Sequence, residues 1–272
     1  MKLHPLILTT QDVQALIEGR KTRHSMPVKP QPALKEKVEN IEWHEWKGCH
    51  YPDFAKQILI HSPFGSPGDQ EWQTGMPPED GMYWVEGFGI PVRLTPLISG
   101  HISIERFPGE LEDAAVYGVT PEKVRWKRMG SILYLREAWA FWNERFHYKA
   151  DQDRIEEIWR CPLRFNSPAT MPREASRIYL EVTGVTCKRV QDITEEEAKA
   201  EGCYTKRIVY GPHPLKPKSK PNFFRHEIDC TYRDSYEANW KQRHGPDSWD
   251  NNSWVFSCNW KVLSINGKPS YL

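Results

Sequence analysis

Most of the short signatures by which chemistry is read from a sequence are missing from these 272 residues. There is no G-x-x-x-x-G-K-[ST] run, no G-x-G-x-x-G and no H-E-x-x-H, so phosphate-loop, dinucleotide and zincin chemistry have no support. The stretch "GFGIPV" (87–92) is too short and too proline-bound to cradle a nucleotide. Six cysteines, Cys49, Cys161, Cys187, Cys203, Cys230 and Cys258, form no C-x-x-C pair, and the first segment is not secretion-like. That pattern reads as reduced thiols in a cytoplasm. His44, Cys49 and His50 lie close together but lack the second half of a four-ligand zinc site, so no metal and no other cofactor is expected. No apolar run approaches the ~20 residues that span a bilayer, and a soluble protein without membrane contact is expected. Charge of either sign is not in excess: 37 Lys and Arg face 36 Asp and Glu. A broadly basic surface that holds nucleic acid by charge alone is thereby excluded, and any polyanion contact must be local.

What the chain has instead is flat rings and turns: 12 Trp, 11 Tyr, 10 Phe and 22 Pro. Such rings either fill a core or line a groove. At the start, "LILTT" reads as a short strand. A helix follows with Thr9 or Thr10 as its N-cap, Val13, Leu16 and Ile17 on one face, and Gly19 as its stop. From Pro27 to about Trp126, turns and short strands alternate without an assignable topology. "GSILYLREAWAFW" (130–142) alternates as a central strand does, and "MPREASRIYLEVTGVTCKRV" (171–190) carries the best strand pattern of the chain. "QDITEEEAKAEGC" (191–203) is the best helix, with a Thr194–Glu197 capping box and Gly202 at its stop. "YGPHPLKPKSKPNFF", within 205–235, reads as a mobile basic loop. "SWVFSCNWKVLSI" closes the chain as a strand with Trp254, Phe256, Cys258 and Trp260 on one side. The sum is a mixed α+β protein with few helices: one domain over residues 1–272, carrying long insertions at about 30–125 and 205–235.

The stretch "EGRKTRHSMPVKP" (18–30) places Lys21 beside Thr22, and His24 beside Ser25, just after the first helix. Bases and hydroxyl nucleophiles thus lie within a few residues of each other. For Lys21 to act as a base its pKa must fall several units from ~10.4, which burial and the neighbouring Arg20 and Arg23 would promote. A solvated basic turn needs none of this and is the simpler account of the local sequence. Glu201 stands apart from Glu195, Glu196 and Glu197, because it sits on the last helical turn, where the helix dipole disfavours a carboxylate. A cation such as Lys21 would compensate it.

Five blocks, "ALIEGRKTRHSMPVKP", "GSILYLREAWAFW", "WRCPLRFNSPATMPREASRIYLEVTGV", "VQDITEEEAKAEG" and "SWDNNSWVFSCNWKVL", together resemble the ASCH family of the PUA-like superfamily, in particular its phage and prophage members. They cover roughly half the chain in the family's order. The resemblance implies a small β-barrel surrounded by a few helices, with a cleft for a nucleobase or single-stranded RNA, in a phage-encoded or bacterial cytoplasmic protein. One member type is the small bacterial N4-acetylcytidine amidohydrolase, whose lysine falls on Lys21 and whose glutamate falls on Glu201. Its threonine falls on His24, so here Thr22 or Ser25 would attack, or His24 would activate water, unless hydrolysis is lost.

On that basis the expected function is removal of acyl groups from N4-acylated cytosine or cytidine. The expected catalytic set is Lys21, Glu201, His24, Thr22 and Ser25, with Arg20 or a backbone amide at the oxyanion. Trp139 is the expected stacking ring. Arg136 with Glu137, and Ser176 with Arg177, are rim residues that suit either substrate binding or a purely structural role. The alternatives are a non-catalytic binder of RNA or of a modified base, and a protein associated with phage assembly.

Overall fold

The computed structural model describes residues 3–38, 41–88, 90–105, 116–151, 163–212, 223–270 and 272. Within them the protein is mixed α+β, mostly sheet with few helices. The chain divides into two compact units, each assembled from separated stretches. Met1–Gln14, Lys56–Thr186 and Cys258–Leu272 make one, Ala15–Ala55 and Cys187–Ser257 the other. The region expected as an insertion at 30–125 is therefore shared between them.

In the first unit, Leu3–Ile7 runs parallel to Ile132–Arg136, which pairs antiparallel with the strand Tyr179–Arg189. Residues 258–264 of the strand Trp254–Ser264 come next in the order. Ile132, Leu133 and Leu135 are all buried, so both faces of their strand are covered, as a central position requires. That strand stops at Arg136. Trp139–Trp142 pairs instead with Arg145–Tyr148, because Asn143 and Glu144 both take positive φ, 52° and 61°, making the two-residue turn whose twist matches a hairpin. Thr9 caps the first helix, Thr10–Ile17: its hydroxyl oxygen accepts from the Asp12 amide at 3.2 Å.

The same unit holds a six-stranded antiparallel sheet that runs Val116–Val119, Ile102–Glu105, Pro91–Pro96, Gly81–Val85, Arg125–Arg128, Gln73–Thr74. Its buried face is Tyr83, Val85, Val92, Leu94, Ile102, Ile104 and Trp126, joined by Val124. This is the topology that the turn-rich middle of the sequence conceals.

The second unit contains a three-stranded antiparallel sheet, Ala33–Val38, Ile41–Trp46 and Cys49–Pro52. The strand Arg23–Pro27 lies beside the opening residues of Trp254–Ser264. Val255, Phe256, Ser257 and Cys258 are all buried, so that last strand is covered on both faces rather than on one. The acidic helix Glu195–Ala200 has the expected capping box between Thr194 and Glu197. The long helix Tyr232–His244 has a second box, between Thr231 and Asp234. Apolar side chains from both helices share one core with Val190, Trp249 and Val255.

Two expectations are corrected. The flanks of the basic run are not loop: Lys206–Pro212 and Phe223–Asp229 pair antiparallel residue for residue, while 213–222 lie outside the described residues. Among the described residues no sheet closes into a barrel, since every strand order has two unpaired ends. No helix among them is long and apolar enough to cross a membrane.

Candidate active site

Lys21 and Glu201, 180 positions apart, meet inside the second unit as an isolated antiparallel bridge. The first helix ends so that the amides of Arg20 and Lys21 both donate to the Ala15 carbonyl, and the Thr22 amide donates to Ala200 at the end of the acidic helix. Gly202 makes the approach possible. Its φ of +87° is left-handed, and a Cβ there would sit 3.2 Å from the Lys21 and Ala15 Cβ atoms.

The Lys21 ammonium, 1 % exposed, donates to Glu201 Oε2 and to the Glu201 carbonyl, each at 2.8 Å. Ser25 Oγ donates to the other carboxylate oxygen, Oε1, at 2.6 Å. With its single proton committed there, Ser25 must be the acceptor in its 2.8 Å contact with the Ser257 hydroxyl. His24 Nδ1 stands 3.9 Å from Oε2. Burial raises the Glu201 pKa, but the charges of Lys21 and His24 and the hydrogen bonds from Lys21 and Ser25 outweigh it. The carboxyl is therefore held below its usual range and stays ionised. The helix-end glutamate that the dipole disfavours is thus compensated by Lys21.

Tyr236, from the long helix, faces the same group. Burial, then the Glu201 charge, pushes its phenol well above the usual value. It remains protonated and available as a donor. Ser25, Glu201, Cys203, Tyr236, Asn239 and Trp240 line a cavity of about 20 Å³, with Arg243 and His244 beside them. That is room for one or two water molecules or a very small group.

The other expected residues are placed differently. Thr22 is exposed and does not line the cavity. Arg20 is held by Glu18, by the Gly202 carbonyl at 3.2 Å and over the Tyr204 ring, so its guanidinium is committed elsewhere. Arg23 pairs with Glu197 at 3.0 Å. Arg136, Glu137, Trp139, Ser176 and Arg177 all belong to the first unit. There Arg177 bridges buried Glu137 and Asp151 through four hydrogen bonds of 2.6–3.2 Å and lies over the Tyr148 ring. Ser176 donates to the Leu135 carbonyl at 2.9 Å, and Trp139 stacks near Phe146 in its hairpin. Glu137, Ser176 and Arg177 are thus engaged within that unit, whereas Arg136 Nε and Trp139 Nε1 are buried with no hydrogen-bond partner among the described residues.

Sequence reasoning missed Ser257, Tyr236, Asn239, Trp240, Arg243 and His244. The last five stand at spacings of three and one along the long helix, which puts them on one face. The "TYRD" capping box and Gly245 marked that helix in the sequence. Its single apolar face is short, because only Ser235, Tyr236 and Trp240 are buried.

Compared with protein-family models, with curated proteins and with solved structures, the chain has no match in any of the three.

Proposed function

We propose that this protein is an ASCH-type, PUA-like hydrolase that removes a short acyl group from N4-acylated cytosine nucleosides or bases. The observation that carries the reading is the Ser25 hydroxyl bound at 2.6 Å to a buried carboxylate whose other oxygen is held by Lys21. That arrangement of hydroxyl, carboxylate and ammonium supports roles for them as nucleophile, base and orienting group in covalent acyl transfer.

Ser25 Oγ attacks the acyl carbon as its proton passes to Glu201. The Tyr236 hydroxyl, which lines the same cavity, stabilises the negative charge that develops, while Lys21 holds the Glu201 carboxylate in place. Collapse of the tetrahedral species breaks the C–N bond, and the proton on Glu201 goes to the departing N4 amine. The cytosine amine leaves readily because its lone pair is delocalised into the ring. Water then attacks the seryl ester, Glu201 accepts one of its protons and returns it to Ser25, and the carboxylic acid departs and loses its remaining proton to solvent. His24, in the threonine's place, adds a second cation or donor near Oε2.

Incubation with N4-acetylcytidine, followed by absorbance, tests the reading. Turnover in the wild type that drops at least 10²-fold in both Ser25→Ala and Glu201→Gln, with an acetyl adduct on Ser25 detectable by intact mass, supports it. Full activity in Lys21→Ala, or no turnover with any short acyl group, sinks it.

One observation favours a second reading: a 20 Å³ cavity does not admit a whole base. A non-catalytic reader of RNA or of a modified base would bind outside it. Such a protein binds single strands in a salt-dependent way and leaves N4-acetylcytidine intact.

A further inference from the structure

The second unit holds a larger space next to the small one. A groove of about 500 Å³ is bounded by Val28, Lys29 and Gln31 and by the turn after the long helix, including Asp247 and Asn251. Trp240 and His244, one helical turn apart, line both this groove and the Ser25–Glu201 cavity. Their rings pack with centroids 4.2 Å apart, so the partition is a pair of side chains rather than backbone.

Several features of the groove point to a ligand. Trp240 is 4 % exposed, yet its indole N–H has no hydrogen-bond partner among the described residues. A buried donor left in that state is costly, and an acceptor on a bound molecule relieves it. Gln31 is a fixed wall of the groove: its amide donates to the Val28 and Trp254 carbonyls and its oxygen accepts from the Trp254 amide at 2.8 Å, so both of its protons are spent within the protein. Burial, then the charges of Arg243 and Lys29, lowers the His244 pKa, so near neutral pH its ring offers one donor and one acceptor. Lys29 and Asp247 bring one charge of each sign, which suits a neutral polar molecule better than a phosphate. Asp247 supplies the acceptor that ribose hydroxyls seek.

We propose that this groove is a ribonucleoside subsite of cytidine size, from which only a short acyl arm passes the Trp240–His244 partition to reach Ser25. The identity of the ligand rests on the deacylase reading, and the position of the site rests on the groove. The volume lies within the range of small-molecule sites, and the 20 Å³ inner cavity limits the arm to an acyl group of about acetyl size.

The test uses the full chain, labelled with ¹⁵N and titrated with cytidine. Amide shifts centred on Lys29, Gln31, Gly245 and Asn251 are expected. Asn251→Trp, which fills the groove from an exposed position, weakens binding by at least about tenfold, whereas Ser25→Ala stays within about twofold. No cytidine binding, shifts centred elsewhere, or equal affinity in Asn251→Trp each overturn the proposal. The wild-type shift map decides the matter even if that variant folds poorly. Acetylcytidine turnover with an unchanged KM in Asn251→Trp removes the subsite but leaves the deacylase. Groove binding of cytidine with no turnover removes the deacylase but leaves the subsite.

Discussion

Replacing Lys21 with methionine keeps most of the side-chain volume and removes one charge of a pair that solvent barely touches. Lys21 is 1 % exposed and Glu201 6 %, so neither charge is screened by water. The variant strips Glu201 Oε2 and the Glu201 carbonyl of their 2.8 Å donor and leaves a buried carboxylate with Ser25 alone as a side-chain hydrogen-bond donor. Breaking a buried pair from one side costs about 3–5 kcal/mol. For a chain of this size that corresponds to a fall in Tm of roughly 6–20 °C.

The pH dependence has a definite sign. In the wild type the folded pKa of Glu201 is lowered from its ordinary 4.5, so the stabilisation is present above that value and is lost as pH falls through the folded pKa. In Lys21→Met the main opposing charge is gone and burial pushes the carboxyl up. The deficit is then largest near pH 7 and shrinks toward pH 5, as protonation relieves the stranded charge. Urea and thermal unfolding at the two pH values measure both effects. The double variant Lys21→Met/Glu201→Leu recovers most of the loss, because an apolar pair of similar volume is close to neutral in a buried site. A single variant within about 1 kcal/mol of wild type, or a double variant equal to the sum of its singles, refutes the account of a dry, mutually dependent pair.

Other outcomes follow from the same kind of reasoning. Burial pushes the Cys187 thiol up to about 12 and the Cys203 thiol up to about 11, so both resist alkylation at pH 8 in the folded protein, while exposed Cys49 reacts promptly. Mass spectrometry of the modified peptides reads the order. Gly130→Ala drives a Cβ to 2.1 Å from the Val182 carbonyl oxygen, a backbone atom that cannot step aside, and costs about 3 kcal/mol or more in denaturant unfolding. Thr231→Ala removes the cap that accepts from the Asp234 amide at 3.0 Å and lowers stability by about 1 kcal/mol, seen as a reduced urea midpoint. Tyr148→Phe deletes a 2.6 Å hydrogen bond to the Ala175 carbonyl and costs roughly 0.5–1.5 kcal/mol.

Elements specified by neighbours in the chain were legible in advance. Gly19 and Gly202 stop their helices with φ of +74° and +87°, and Thr194 closes a box with Glu197, because caps depend on residues three or four positions apart. Tyr179–Arg189 was readable as a strand for the same reason. The six-stranded sheet was not: its strands are two to six residues long, and their pairing is set by contacts across a long, turn-rich region. The hairpin after Arg136 was missed because alternation continues through 130–142, whereas the positive φ at Asn143 and Glu144 is a backbone choice that hydrophobic pattern does not encode.

The site divides along the same line. Lys21, Glu201 and Ser25 were named from motifs, and the helix-end position of Glu201 already demanded a cation. Which hydroxyl would meet the carboxylate, that Ser257 would donate to Ser25, and that Tyr236, Trp240 and His244 would wall the cavity were decided only when distant segments packed together. Sequence carries local propensity and charge by itself. Distances between residues about 180 positions apart, and the dryness that gives their charges force, exist only once tertiary packing has excluded water.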